Sequence, residues 1–109
     1  MSFNHALGFR VSGDGSTILL EATDRHEVAP GTIHFAVLAT LAEVAAAQAV
    51  AASVVPTHLS LQLVKRAQTG KLEARGRVLR AGRTLIFAEG EVYQLGALVA
   101  KASVTFARV

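Results

Sequence analysis

Cysteine is absent from this 109-residue sequence, and aromatic residues are scarce. Without cysteine the chain cannot form a disulfide framework, a thiolate zinc site or a cysteine nucleophile. The absence suits a reducing compartment, so we expect a cytoplasmic protein. Tryptophan is also missing, and aromatic residues make up 6% of the chain. Alanine, leucine and valine must therefore form the core, and few rings are available on which single-stranded nucleic acid could stack.

We expect no export signal at the N-terminus. The first ten residues, MSFNHALGFR, contain no charged start followed by an apolar run. Residues 35–55 are apolar for roughly the length that crosses a bilayer. Glu43 and Gln48 interrupt this run, and no second run follows it. We therefore expect no membrane-spanning segment.

The overall composition is that of a globular protein, with 51% hydrophobic and 17% charged residues. No internal repeat, low-complexity tract or long linker is present. We expect a single domain over residues 1–109, which is long enough to enclose one core.

The first half of the chain predicts two strands and one long helix. Residues 8–12 and 16–22 have strand character, and the turn SGDGS joins them. After a polar loop over 23–31, an alanine-rich helix is expected over 33–53, with Thr32 as its N-cap. This helix is apolar nearly all round, so we expect it to be buried on every side by a sheet that curls around it.

The second half changes to a period of two, which predicts β-strands. Leu72 and Ala74 alternate with Glu73 and Arg75, for example. Strands are expected at about 59–64, 72–78, 84–93 and 98–107, with turns at 67–71, 80–83 and 94–97. The fold class is therefore α+β, with an antiparallel sheet of about five to six strands around one central helix.

Basic residues are concentrated in one stretch that contains a single acid, Glu73. Such a cationic region is a candidate anchor for an anion, although a solvated strand face would look the same. A nucleic-acid surface is a further alternative, disfavoured by the scarcity of aromatics. The basic residues of this stretch are Lys65, Arg66, Lys71, Arg75, Arg77, Arg80 and Arg83.

The order of elements, together with three sequence segments, resembles the hotdog fold. The segments are HEVAPGTIHFAVLATLAEVAAA, LSLQLVKRAQTGKLEARGRVLRAGR and GALVAKASVTF. They are most similar to the PaaI / 4-hydroxybenzoyl-CoA thioesterase branch, and the resemblance covers residues 7–107. It implies a thioester hydrolase that acts on acyl- or aryl-CoA. Coenzyme A is then part of the substrate, and no other cofactor is implied.

The resemblance also implies roles for individual residues. Gly31 matches the glycine of the family's loop, and His34 matches the histidine of its His-Gly-Gly motif. Glu43 matches the helix carboxylate that acts as nucleophile or general base. Phe35 takes the place of the first motif glycine, whose backbone N–H polarises the thioester carbonyl. We therefore assign His34, Phe35 and Glu43 to the catalytic set.

Two further positions depart from the family pattern. Val28 lies where the family has an Asn or Gln that orients the attacking water, and valine cannot form that hydrogen bond. Ala47 replaces a Ser or Thr one turn after the acid. We assign Val28, Gly31 and Ala47 to the substrate-binding region, without a polar role for either substituted side chain.

The helix geometry adds a constraint of its own. Phe35 and Glu43 are eight residues apart, or about 12 Å along a helix axis. A carbonyl held at the helix start is then out of reach of Glu43 in the same chain. A site that uses both groups requires a second subunit, so we expect a homodimer or homotetramer with interfacial sites. We expect Lys65, Arg66, Arg80 and Arg83 to hold the phosphates of coenzyme A.

Several alternatives remain open at this point. Glu43 could be a structural carboxylate paired across a dimer seam. The protein could be a hotdog relative that binds acyl-CoA, or only dimerises, without catalysis. A hotdog dehydratase would use His26 or His34 together with Glu43, although the His-Phe-Pro-Gly run of that branch is missing. Acidic and histidine residues near DRHE have no spacing typical of metal ligands, so no metal site is expected.

Overall fold

A computed structural model describes residues 2–109 and shows one long helix lying across a six-stranded antiparallel sheet. The strands lie side by side in the order β1-β2-β6-β7-β8-β5, and β3 and β4 form a separate two-stranded ribbon. The predicted α+β class and hotdog arrangement are thereby confirmed. The elements are α1 (Phe3–Leu7), β1 (Arg10–Val11), β2 (Thr17–Ala22), β3 (Glu27–Ala29), β4 (Thr32–Ile33), α2 (Phe35–Val50), β5 (Val54–Leu63), β6 (Gly70–Ala81), β7 (Leu85–Gln94) and β8 (Ala97–Arg108).

The N-terminal region differs from the prediction. Where a strand was expected over 8–12, only Arg10–Val11 pair with β2, and the short helix α1 precedes them. Gly8, at φ 91°, ends that helix in a left-handed conformation. The expected loop over 23–31 contains a 3-10 turn and β3, which pairs with β4. So short a pairing leaves no periodicity in the sequence, which is why the ribbon was not predicted.

The start of α2 also differs from the prediction. The N-cap is His34, not Thr32, because the imidazole Nδ1 of His34 accepts a hydrogen bond from the Ala36 N–H at 2.9 Å. Thr32 instead belongs to β4. The helix ends at Val50, three residues earlier than expected, and Ala51 adopts a left-handed conformation at φ 54°.

Two glycines allow α2 to lie unusually close to the sheet. Gly76 and Gly90 face each other across β6 and β7. A Cβ atom on Gly76 would overlap the Ala45 carbonyl, and one on Gly90 would overlap the Ala42 carbonyl. The helix backbone therefore rests directly on the sheet backbone at this crossing.

Only one side of α2 is buried by the sheet, which corrects the expectation of burial all round. Six helix residues are buried: Val37, Leu38, Leu41, Ala42, Ala45 and Ala46. The opposite side carries Ala36, Thr40, Glu43 and Ala47 and is exposed or half-buried. A single six-stranded sheet is too flat to enclose a helix, so an apolar side with one carboxylate stays open.

Strand β5 forms one edge of the sheet and is poorly covered. It pairs only with β8 within residues 2–109, and nine of its ten residues run along the β8 ladder. Leu59 and Leu63 are 37% and 55% exposed although they alternate as core-facing residues should. The edge and the open side of α2 thus leave apolar surface without a partner in the single chain.

The three turns predicted in the second half are present with changed bounds. The turn expected at 67–71 becomes a six-residue loop over 64–69, and the other two are shorter than expected. Strand β6 continues through Arg80 to Ala81, so the turn expected at 80–83 narrows to residues 82–84. Leu95 and Gly96 form a two-residue turn between β7 and β8. No helix within residues 2–109 has the length and apolar character needed to cross a membrane.

Candidate functional site

A groove of about 310 Å³ opens beside the first turn of α2. It lies between β3, the start of the helix and the segment that follows β5. Its walls are mainly apolar, and the basic side chains of Lys65 and Arg66 lie at its rim. The apolar residues of the wall are Val28, Ile33, Phe35, Leu38, Leu63, Val64 and Ala67. An apolar groove with cations at one end suits a ligand that is apolar at one end and anionic at the other.

The backbone N–H of Phe35 is the first donor of α2. The neighbouring N–H of Ala36 bonds to His34, and the N–H of Val37 bonds to the His34 carbonyl at 3.0 Å. No acceptor within residues 2–109 takes the Phe35 N–H. A free N–H at the positive end of a helix stabilises a negative oxygen placed against it.

His34 serves as a cap rather than as an evident proton shuttle. Its Nδ1 is occupied by Ala36, and its ring lies 4.8 Å from that of Phe35, centroid to centroid. Its own backbone N–H donates to the His26 carbonyl at 2.9 Å. The structure thus gives His34 the task of orienting the first turn, which leaves Phe35 as the open donor.

His26 has a structural role that removes it from the dehydratase alternative. Its side chain is 5% exposed, Nδ1 accepts from the Thr23 N–H at 3.0 Å, and Nε2 donates to the Leu7 carbonyl at 2.8 Å. Both ring nitrogens are therefore engaged in tying the loop to α1. A general acid needs a ring nitrogen that can reach the substrate, and this imidazole offers none.

Glu43 lies in the middle of the open side of α2. No residue among 2–109 donates a hydrogen bond to its carboxylate, and burial raises the pKa of that carboxyl above its ordinary value of 4.5. An acid without donors, in a partly apolar setting, holds its proton more tightly and is a better base when ionised. Ala47 lies one turn further along the same side and offers no polar group.

Val28, in β3, lines the groove, and Gly31 lies in the turn between β3 and β4. Gly31 has φ 83°, a conformation that disfavours other residues, and its N–H donates to Glu27 Oε2 at 2.7 Å. Val28 is 59% exposed and forms part of the groove wall. The structure therefore places Val28 and Phe35 on the wall of one groove, whereas Gly31 is not among the residues that line it.

The predicted cationic residues do not form one surface. Lys65 and Arg66 follow β5 beside the start of β6, whereas Arg80 lies near the far end of β6, about 30 Å away at a rise of about 3.3 Å per residue. Arg83 follows in the turn beyond. In a single chain, the two pairs cannot contact the same phosphate.

Ion pairing also distinguishes the basic residues from one another. Arg77 Nε donates to the buried carboxylate of Glu89 at 2.6 Å, and Lys101 lies 3.4 Å from the other oxygen of that group. The hydrogen bond from Arg77 is the main reason that the pKa of Glu89 lies below its usual value. Arg77 is therefore a structural cation of the sheet. Five residues of the basic stretch have no such acidic partner within residues 2–109: Lys65, Arg66, Arg75, Arg80 and Arg83.

Several groove residues were not predicted from the sequence. Leu38 lies within the predicted helix and Leu63 within the predicted strand 59–64, and neither was assigned to a site from the sequence. The apolar end of a strand followed directly by Lys-Arg was the signal that could have revealed the groove, since it places apolar surface and charge side by side.

Comparison with known families and structures agrees with this geometry. The Thioesterase superfamily model matches residues 30–101, which include the loop glycine, the helix and the basic stretch. No curated protein is significantly similar to the chain in sequence.

Solved structures extend the likeness to nearly the whole chain. The phenylacetic acid degradation-related protein of Ralstonia eutropha, described as a putative thioesterase, is 29% identical, with a TM-score of 0.85 over 95% of this chain and 87% of its own. A single-residue mutant of the phenylacetic acid degradation protein PaaI from Thermus thermophilus is 26% identical, with a TM-score of 0.87 over 98% of both chains. A Bacillus halodurans protein solved with CoA has the same fold, at 24% identity and a TM-score of 0.86 over 95% of this chain and 73% of its own.

The family match covers most of the chain, and the solved structures share its fold over nearly its whole length. The chain therefore belongs to the Thioesterase superfamily, in the PaaI-like branch of the hotdog fold.

Proposed function

We propose that this protein is an acyl-CoA thioesterase whose active site forms between two copies of the chain. The observation that carries the proposal is the N–H of Phe35, which has no acceptor within residues 2–109 and belongs to a residue that lines the apolar groove. A thioester carbonyl placed in the groove would direct its oxygen at this donor and at the positive end of α2. The donor would stabilise the negative charge that develops on that oxygen during attack.

Glu43 would supply the second half of the chemistry. Acting as general base, its carboxylate takes a proton from water while the water oxygen bonds to the thioester carbon. The carbon–sulfur bond then breaks, and the thiolate leaves with the proton that Glu43 had taken, giving a carboxylic acid and the thiol of coenzyme A. In the nucleophilic alternative, the Glu43 carboxylate bonds to the carbonyl carbon and the carbon–sulfur bond breaks to release the thiolate. Water then hydrolyses the resulting anhydride, which gives the carboxylic acid and restores Glu43.

The two groups meet only if two chains combine. About 12 Å of helix axis separates Phe35 from Glu43 within one chain. A symmetric pair of chains would place Phe35 of each helix opposite Glu43 of the partner subunit. The open side of α2 and the uncovered edge strand β5 support such a pairing, because both present apolar surface that a second copy could bury.

Coenzyme A would be held by the basic residues at the rim. Lys65 and Arg66 border the groove and lack an acidic partner within residues 2–109, so their charges are available to phosphate oxygens. Arg80 and Arg83 would join them only from the partner subunit, given their distance along β6. Hydrolysis by this route uses an amide and a carboxylate, so it requires no resident metal or cofactor.

The test is thiol release from a panel of acyl-CoAs, from short aliphatic to aryl, with two designed substitutions. Phe35→Pro removes the free N–H, and proline is well tolerated at the first position of a helix. His34, at φ −61° and ψ 136°, already has the extended conformation that precedes proline. We expect kcat to fall about a hundredfold, whereas Phe35→Ala keeps the N–H and serves as the matched control.

Glu43→Gln tests the carboxylate in the same assay. We expect turnover to fall at least about a hundredfold, because the amide can neither accept the proton nor attack. Wild-type turnover that survives both Phe35→Pro and Glu43→Gln would contradict the proposed roles.

A non-catalytic acyl-CoA binder is the second candidate, and Val28 favours it. This side chain lies on the groove wall, where it can neither donate nor accept a hydrogen bond to position a water. Calorimetric titration with CoA and with a slowly hydrolysed acyl-CoA analogue separates the candidates. Tight binding without release of thiol from any acyl-CoA would support the binder and exclude the hydrolase.

A further inference from the structure

A second cavity, of about 250 Å³, lies on the other side of the segment that carries Lys65 and Arg66. Lys71 and Thr69 also line it, and so does the side chain of Gln94 from the end of β7. Three cations therefore line a small space whose walls are partly polar and partly apolar. Lys65 and Arg66 border both this cavity and the apolar groove, so one extended ligand could span the two spaces.

The loop formed by residues 64–69 is held to the rest of the fold at its start and at its centre. At its start, the N–H groups of Val64 and Lys65 both donate to the Val99 carbonyl, at 2.9 and 3.2 Å. At its centre, the Ala67 carbonyl accepts from the Ile33 N–H at 2.9 Å. Ala67 is buried, which fixes this part of the loop beside the entry to α2.

Gln94 supplies the remaining attachment, and it does so with a side chain. Its Oε1 accepts from the Gln68 N–H at 3.0 Å, and its Nε2 donates to the Gln68 carbonyl at 2.7 Å. Both backbone polar groups of one loop residue are thus bound by one side-chain amide. Lys65 and Arg66 lie just before the residue that Gln94 holds.

This attachment has an energetic consequence for any ligand that needs the loop. Long basic side chains on a free loop lose backbone and rotamer freedom when they close on an anion. A loop that is already held avoids the backbone part of that cost. Lys71 is partly engaged by Glu73, at 3.1 Å, so Lys65 and Arg66 are the cations whose placement matters most.

We propose that Gln94 is a positioning residue that holds the 64–69 loop so that its cations bind the phosphate groups of coenzyme A in this second cavity. The inference rests on the proposed function for the identity of the ligand. Its content is specific to this chain: Gln94 should matter for substrates that carry phosphates and not for those that lack them.

The experiment compares two thioesters with the same acyl group. Acyl-CoA carries the nucleotide and its phosphates, and acyl-N-acetylcysteamine has neither. In Gln94→Met, which keeps side-chain length but loses both hydrogen bonds, we expect KM for acyl-CoA to rise about tenfold with kcat nearly unchanged. KM for acyl-N-acetylcysteamine should not change. Gln94→Glu retains the acceptor but adds a negative charge, so it should weaken the binding of acyl-CoA further.

Gln48→Ala is the matched control. This exposed glutamine lies in the last turn of α2, and its one side-chain hydrogen bond within residues 2–109 is a long one, 3.5 Å to the Gly15 carbonyl. An unchanged KM for acyl-CoA in Gln94→Met, or an equal loss for both thioesters, would overturn the inference while leaving the hydrolase intact.

A binding measurement separates this inference from the proposed function. Adenosine 3′,5′-bisphosphate, the phosphate-bearing end of coenzyme A, is titrated into the wild type and into Gln94→Met by calorimetry. Binding that weakens about tenfold in Gln94→Met supports the inference even if no thioester is hydrolysed. Binding that is equal in the two proteins, or absent from the wild type, overturns it whatever the assay of hydrolysis shows.

Discussion

Glu43 is a carboxylate that the single chain leaves without a donor, and this has a measurable effect on stability. Burial raises the pKa of Glu43 in the folded state, so the native protein binds that proton more tightly than the unfolded chain does. Stability should then decrease as the pH rises from the unfolded pKa through the folded one. The loss persists at neutral pH, where the carboxylate is ionised.

Glu43→Gln should therefore stabilise the protein at pH 7 while it abolishes turnover. After allowance for solvent screening we expect about 0.5 kcal/mol, or about 2–4 °C in Tm for a chain of this size. The difference from the wild type should vanish below about pH 4, where the carboxyl is protonated in both states. Calorimetric scans at several pH values measure it. A lower Tm for the variant at pH 7 would instead indicate a structural ion pair across a subunit seam.

Leu95 destabilises the folded state in a different way, through its backbone conformation. It has φ 50° in a two-residue turn and is fully exposed, so no packing compensates for the left-handed conformation. Turns with positive φ at both positions favour Asn-Gly. We expect Leu95→Asn to stabilise the protein by about 1 kcal/mol. Leu95→Ala, which keeps the unfavourable φ, should show no comparable gain in urea unfolding; equal gains would place the effect in the lost apolar side chain.

At the level of elements, the close crossing of α2 over β6 and β7 depends on two glycines, Gly76 and Gly90, which have no side chain. Gly90→Ala would put a Cβ atom into the Ala42 carbonyl, a backbone group that cannot rotate away. We expect a loss of about 3 kcal/mol or more in unfolding free energy, from overpacking and displacement of the helix. Gly13→Ala is the control, since a Cβ there meets nothing within 4 Å. A Gly90→Ala protein as stable as the control would show that α2 can lift without penalty.

The elements that could be predicted from the sequence are those whose pattern repeats. Strands β6, β7 and β8 follow a period of two over ten to twelve residues, and α2 is long enough to give a clear helical signal. The ribbon of β3 and β4 has two or three residues a strand, too few for any period. The His34 cap was missed because histidine is a rare cap, and Thr32 is the more usual choice.

Parts of the candidate site that depend on separation along one helix could be predicted, whereas parts that depend on distance between elements could not. Phe35 and Glu43 belong to one helix, so their separation follows from the helical rise alone. Lys65 and Arg80 were grouped because they are close in sequence, yet an extended strand carries them to opposite ends of the sheet. Gln94 could not be found at all, because its role depends on a contact with Gln68, 26 residues earlier.

At the level of the whole molecule, a site shared between subunits makes a prediction that no single-chain site can match. If each site combines Phe35 of one subunit with Glu43 of the other, Phe35→Pro and Glu43→Gln each disable both sites of a homodimer. Mixed by unfolding and refolding, the two variants form heterodimers in which one site carries both substitutions and the other carries neither. We expect about a quarter of wild-type activity to return, since about half of the dimers are mixed and each has one intact site. Mixing without any recovery would place both groups of each site in one chain.

The uncovered edge of β5 also affects how the purified protein aggregates during storage. A ten-residue strand with a free ladder and apolar side chains is a growth point for fibrils and swapped oligomers. If a second copy normally pairs with that strand, dilution would separate the two copies and expose the strand. The protein that then aggregates would precipitate, and concentrating the solution again would not restore it. Dilute stocks should therefore age faster than concentrated ones, the reverse of the usual experience with aggregation.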